Sequence, residues 1–265
     1  MASHVVSPSS ARQVLFGMPF DPFTLHEAVE LCEDALARRR RMLVGVVNAA
    51  KAVNLRRDAV LRDSLLECDM LLADGQSVVW AGRLLGRPLP ERVAGIDLFE
   101  ALLDLADRDG RSIYLLGARP DVLATLTAIV AANWPGAVIA GARDGYFTED
   151  EAAAVAEDIR RSSPDMLFLG MTSPRKEIFL GRYGDSLDVP ILHGVGGSFD
   201  VMAGLVKRAP ARWQRAGMEW AYRLIQEPGR LWQRYLRTNT SFLALVVKDM
   251  VNPTPLYVRE GGSHG

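Results

Sequence analysis

The chain has 265 residues, of which 49% are hydrophobic and 24% charged, with 31 Lys and Arg against 32 Asp and Glu. That length and apolar share suffice for one large buried core with room for an appendage. The net charge of −1 argues against a general nucleic-acid binder and leaves local basic patches open.

Residues 1–13 are small and polar and read as disordered. They contain no basic segment followed by an apolar run, so no secretory signal is expected. Thr24–Arg39 carries apolar residues at a helical period, with Thr24 as N-cap. Met42–Ala49 is a short β-rich run that stops at Asn48. Val53–Cys68 reads as one helix, and Met70–Ala73 as a second strand ending at Asp74. Further strands are expected at Ser112–Leu116, Ala137–Ala140, Met166–Leu169 and Pro190–Leu192. Helical stretches separate them at Gln76–Leu85, Ile96–Arg108, Pro120–Asn133, Glu149–Arg161 and Pro174–Tyr183. Apolar strands alternating with amphipathic helices imply an α/β fold, a mostly parallel sheet covered by helices on both faces. Ligands of such sheets bind beyond the carboxyl ends of the strands. Asn48, Asp74, Gly117, Gly170 to Pro174 and Gly194 to Asp200 all fall there.

The composition shifts near Lys207. Between Lys207 and Arg237 stand eight Lys and Arg against Glu219 and Glu227, with Trp213, Trp220 and Trp232 among them. Pro228 marks a break between two helical segments. The chain therefore divides into a core over 14–206, a basic helical appendage over 207–250 and a tail over 251–265. The appendage either packs on its own core or lies on a membrane surface. The aliphatic run Phe242–Val247 is far short of the ~20 residues that a spanning helix needs.

Several strand ends allow two readings. Gly194-Val-Gly-Gly-Ser-Phe-Asp200 either brings the N–H groups of Gly196 and Gly197 to a phosphate or is only a tight strand–helix turn. In Gly170-Met-Thr-Ser-Pro-Arg-Lys-Glu177, Ser173 reads as an N-cap and Pro174 as the first helical residue. Arg175 and Lys176 then oppose the helix dipole unless an anion lies nearby. Asp74 is either a general base or a turn or N-cap residue for the helix near Gln76. Asn48 is equally ambiguous. Asp107-Arg-Asp109 has the form of a metal-holding D-x-D but sits at a helix end before Gly110. His193 reads as a packed histidine. Cys32 and Cys68 read as buried, reduced thiols. No metal site is expected, and no cofactor. The dinucleotide fingerprint lacks its third glycine, and no P-loop is present.

Taken in order, Asn48-Ala-Ala, Leu72-Ala-Asp-Gly, Val78-Val-Trp, Arg83-Leu-Leu-Gly, Pro90-Glu-Arg-Val-Ala-Gly and Asp144-Gly-Tyr-Phe form a pattern. It continues through Gly170…Ser173-Pro, Gly194-Val-Gly-Gly…Phe-Asp, Val206-Lys-Arg-Ala-Pro and Gln226-Glu-Pro…Arg-Leu-Trp. This pattern resembles the WecG/TagA/CpsF family, glycosyltransferase family 26, over roughly residues 14 to 250. The resemblance implies a Rossmann-like bacterial enzyme with a C-terminal appendage that reaches the membrane. It implies inverting, metal-independent transfer of a sugar from a UDP-sugar to a polyprenyl-diphosphate-linked acceptor for surface polysaccharide. N-acetylmannosamine, its uronate and glucose all fit. By the same resemblance Asp74 is the general base. Asn48, Ser77, Arg92, Tyr146 and Asp200 match donor-pocket positions, joined by Gly170, Ser173, Lys176, Gly196 and Gly197 from the turns above. Arg223 and Arg230 match appendage arginines near acceptor or donor phosphates. Two positions depart from the family pattern: Val46 stands where Thr is common, and Lys176 where Gln is common. The expected partners are a UDP-sugar, a lipid-linked acceptor and the inner face of the cytoplasmic membrane, with no nucleic acid and a possible homo-oligomer. A nicotinamide-dependent oxidoreductase and a non-catalytic UDP-sugar-binding adaptor are the alternatives.

Overall fold

The computed structural model describes residues 11–258 except Ala216 and Glu227; the side chains at 211, 215, 223, 230, 231 and 234 also lie outside the description. Six parallel strands form one sheet: β3 (Met42–Val47), β4 (Met70–Ala73), β5 (Ser112–Gly117), β6 (Val138–Arg143), β7 (Met166–Gly170) and β8 (Ile191–Gly194). Their order is β4-β3-β8-β7-β5-β6. This is the Rossmann-like α/β arrangement expected. A separate hairpin, β1 (Gln13–Leu15) with β2 (Met18–Phe20), precedes them.

The period of two along each strand sends alternate residues into two cores. From β3, Leu43 and Val47 enter one core, while Met42, Val44 and Val46 enter the other. The first core is covered by α2 (Ala49–Asn54), α3 (Ala59–Leu66), α4 (Gln76–Leu84), α7 (Glu149–Ser162), α8 (Arg175–Tyr183), the hairpin and the end of α12 (Pro228–Val251). The second is covered by α1 (Leu25–Ala37), α5 (Gly95–Asp109), α6 (Pro120–Asn133) and α9 (Ser198–Met202). The chain leaves β3 toward β4 and reaches β8 from the other half of the sheet. The carboxyl ends of β3 and β8 thus flank the reversal of strand order, where such sheets hold ligands.

Two expectations change in detail. The single helix over Val53–Cys68 is two helices. Asn48 Oδ1 accepts from Lys51 N at 3.1 Å and starts α2, and Asp58 Oδ1 accepts from Leu61 N at 2.9 Å and starts α3. Each side chain satisfies an N–H left orphaned at a helix start, so the chain can begin afresh there. Residues 1–10 of the segment read as disordered lie outside the described residues. Gln13, at its end, opens β1, and Arg12 pairs with Asp21 at 2.9 Å. The hairpin turn places both Phe16 (φ 55°) and Gly17 (φ 79°) in the left-handed region. A two-residue turn matching the strand twist needs that conformation.

The region after residue 207 forms α10 (Ala211–Arg215), α11 (Glu219–Gln226) and α12, with Pro228 as the first residue of α12. Proline suits that place because its missing N–H would have no partner there. Late in α12, Phe242, Leu245 and Val246 are buried in the first core, and the Phe242 ring meets Phe16 at 5.5 Å. Asp249, 1% exposed, accepts from Arg87 at 3.3 Å and from Thr254 N at 2.6 Å. Tyr257 N then donates to Gly17 O at 2.8 Å. The early appendage is thus an excursion from the core, whereas the second half of α12 belongs to it. Among the described residues no helix is long and apolar enough to cross a membrane.

Candidate active site

Adjacent strands bring the first site residues together. Asp74 directly follows β4, and its N–H donates to Val47 O at 2.9 Å, beside Asn48 at the end of β3. An ideal Cβ on Gly75 would lie 3.6 Å from Asn48 Cβ and 3.8 Å from Ser77 Oγ. Asn48, Asp74 and Ser77 therefore share one rim at the carboxyl edge of β3 and β4. The cap reading of Asp74 does not hold: Gly75 is the N-cap of α4 and no side chain caps it. Asn48 does cap its helix, as described above.

The turn after β7 differs from expectation. Ser173 does not cap α8; Pro174 occupies the N-cap position, and the Ser173–Pro174 peptide is cis. Ser173 Oγ instead donates to Glu177 Oε1 at 2.8 Å. Lys176 Nζ reaches the same oxygen at 3.1 Å, with Lys176 9% exposed and Glu177 4%. The dipole cost expected of Lys176 is thus offset inside the chain by a carboxylate one residue away. Arg175 donates to Phe147 O and lies 4.7 Å over the Phe147 ring. Gly170 has a packing reason to lack a side chain, because a Cβ there would stand 2.3 Å from the Phe199 ring.

The glycine turn after β8 is partly spent on the fold. The N–H groups of Val195 and Gly196 donate to Leu169 O at 3.0 and 3.3 Å. The helix that follows, α9, has five residues, so its dipole is short. Gly197 is its N-cap, and the carbonyl of Asp200 accepts from Leu205 and Val206. These facts favour the turn reading of Gly196 over direct phosphate binding through its N–H. Tyr146, 69% exposed, stands on the loop after β6, and a Cβ on Gly145 of that loop would stand 3.4 Å from Met171 Cγ.

Arg92 is drawn into an ion network. Its guanidinium meets Asp97 at 2.9 Å and Glu219 of α11 at 2.8 Å, while Arg208 binds Asp97 and reaches Glu100 at 3.4 Å. The turn before α11 lies against the start of α4, since a Cβ on Gly217 would stand 2.5 Å from Gln76 Cβ. The appendage thus borders the rim that holds Asp74. Arg223 and Arg230 lie on α11 and α12, and their side chains are outside the described residues.

The sequence reading missed Lys51. Its Nζ donates to Val46 O at 2.7 Å and shares a cavity of about 30 Å³ with Lys176, Glu177, Cys68 and Gly194. Burial, then the Lys176 charge, lowers its pKa to about 8, against the raising pull of Asp74 and Glu177. One lysine among small residues after a strand carries no spacing signal, so only the fold could reveal it. The other ambiguous groups are structural. His193 is fully buried, with Nδ1 3.3 Å from Val44 O and Nε2 3.1 Å from Gly95 O; burial pushes its pKa down to about 4. Asp107 accepts from Gly136 N, and Asp109 pairs with Arg108. Among the described residues no three His, Cys, Asp or Glu side chains cluster as metal ligands.

Comparison with known proteins identifies the family. The model of the glycosyl transferase WecG/TagA/CpsF family matches residues 13–255. An N-acetylglucosaminyldiphosphoundecaprenol N-acetyl-beta-D-mannosaminyltransferase from Bacillus spizizenii is 38% identical over 204 residues, 77% of each chain. A protein of the same name from Bacillus subtilis is 35% identical over 222 residues, 84% of this chain and 85% of the relative. The chain belongs to the WecG/TagA/CpsF family of glycosyltransferases.

Proposed function

From that membership, we propose that the chain moves a sugar from a UDP-sugar to a saccharide carried on a polyprenyl diphosphate, for bacterial surface polysaccharide. The names of both relatives support the acceptor class, because they act on N-acetylglucosaminyl-diphosphoundecaprenol and transfer N-acetylmannosamine. One observation carries the chemistry: Asp74 lies at the carboxyl edge of the sheet, beside Asn48 and Ser77, in a place its own helix does not use as a cap.

In this reading the acceptor hydroxyl oxygen attacks the anomeric carbon as Asp74 takes its proton. The bond from that carbon to the diphosphate breaks, its electron pair leaves with UDP, and the configuration inverts. Cationic side chains offset the charge gathering on the diphosphate, Lys176 and the appendage arginines Arg223 and Arg230 among them. No metal takes part. Arg92, held by Asp97 and Glu219, lines the donor pocket where the appendage meets the core. The work is done at the inner face of the cytoplasmic membrane, where α11 and α12 present Trp220, Ile225, Trp232 and Leu236 to solvent.

The test is turnover of a panel of UDP-sugars on a polyprenyl-diphospho-N-acetylglucosamine acceptor. Asp74→Asn keeps the shape and removes the base, and kcat should fall at least a hundredfold. Full activity in that variant removes Asp74 from the mechanism. An unchanged rate in EDTA is expected, and a rate restored only by added divalent ion would overturn the metal-free step.

A further inference from the structure

The two positions that depart from the family pattern, Val46 and Lys176, line the same cavity as Lys51 and Glu177. Their hydrogen bonds leave a definite remainder. An ammonium has three N–H donors. Lys51 Nζ gives one to Val46 O, and Lys176 Nζ gives one to Glu177 Oε1. Glu177 Oε1 is served by Lys176 and Ser173, but Oε2 is buried with no partner among the described residues. A buried carboxylate oxygen left unpaired is destabilising, so an orphan of this kind calls for a donor. Gly194 makes the arrangement possible, because a Cβ there would stand 2.6 Å from Lys176 Cδ.

We infer that Lys51, Lys176 and Glu177 form a specificity subsite that takes an anionic oxygen of the substrate next to a hydroxyl group. The anionic oxygen accepts from the two ammoniums, and the hydroxyl donates to Glu177 Oε2. Lys51 is thereby a substrate-binding residue, although its position carries no motif. Two sources offer this chemistry: the diphosphate of the donor with its neighbouring hydroxyls, or a carboxylate on the transferred sugar ring. The inference rests on the proposed glycosyl transfer and names a substrate group that the enzyme selects.

The side of neutral pH on which this subsite works follows from the groups facing Lys51: Lys176 and Glu177 from α8, Asp74 after β4 and Cys68 after α3. Lys51 is charged below its pKa, so anion binding is strongest below about pH 8 and weakens above it.

The experiment is calorimetric titration of the full chain with UDP, a neutral UDP-hexose and a UDP-hexuronic acid at pH 7 and pH 9. The proteins compared are wild type, Lys51→Gln, Lys176→Gln and Lys51→Arg, with thermal melts to confirm folding. Lys51→Gln and Lys176→Gln should each weaken binding about tenfold at pH 7, and Lys51→Arg should restore it and flatten the fall toward pH 9. A loss equal for all three ligands places the diphosphate in the subsite; a loss confined to the hexuronate places the sugar carboxylate there. Folded variants that bind all three like wild type would show that only water fills the cavity, and the inference would be wrong. Failure of wild type to bind any of the three would instead refute the donor reading beneath it.

Discussion

His193 shows what one side chain at the sheet centre costs. A neutral imidazole has one N–H, so it can donate to only one of the two carbonyls it faces. Its pKa falls from 6.5 to about 4 in the fold. Between those values the unfolded chain binds a proton that the native chain does not, so stability falls as pH drops through that window. The loss should approach roughly 3 kcal/mol near pH 4. Urea melts at pH 7, 6 and 5 should show it, and His193→Gln should flatten this part of the profile; an equal slope in the variant would assign the loss elsewhere. The two thiols follow the same rule in reverse, since burial pushes Cys32 and Cys68 up to about 12. Iodoacetamide at pH 8 should leave both unmodified in the native protein and label both in urea.

Among elements, α12 is the one whose role changes most from sequence to structure. Its residues carry a helical apolar period, so its existence is legible. Which half it buries is not, because the buried triplet Phe242, Leu245, Val246 sits beside the equally apolar and exposed Leu243 and Val247. Composition alone favours a detachable appendage from residue 207 onward. Leu245→Ala should cost about 2–4 kcal/mol, as core truncations do, whereas Leu243→Ala should change stability by less than 1 kcal/mol. Equal effects in chemical melts would contradict this packing. The strands were legible for a simple reason: runs such as Met42–Val47, buried on both faces, contain no polar residue to blur them. The hairpin was not, because three-residue strands are too short to show a period, and Phe16 is a rare occupant of a left-handed turn. The positions of Asp74 and Asn48 just after strands were readable. Lys51 and Glu177 were not, because their meeting depends on β3 and the start of α8 being carried together by the sheet.

At the scale of the whole molecule, the ties seen among the described residues between the core and the region from Arg208 through the first half of α12 include ion pairs and the Gly217 contact. The bridges run from Glu219 to Arg92 and from Arg208 to Asp97 and Glu100. The exposed residues of this region include Trp220, Trp232, Leu236 and Arg237. Vesicles rich in anionic lipid should therefore bind the full chain, less so at high salt. Trp220→Ser with Trp232→Ser should reduce cosedimentation severalfold, and retention unchanged from wild type would exclude these two side chains. Truncation at residue 207 is a poor test of the same idea, because it removes Phe242, Leu245 and Val246 from the first core. Such a fragment should show a broad, weakened melt.

The end of the described chain, finally, sets an order in time. Phe16 and Gly17, among the earliest described residues to be synthesised, receive Phe242 and Tyr257, among the last. A nascent chain on the ribosome therefore carries an open first core until Phe242 and Tyr257 have been made. It must cross that interval with its hairpin face uncovered, when a chaperone or a neighbouring nascent chain can reach it.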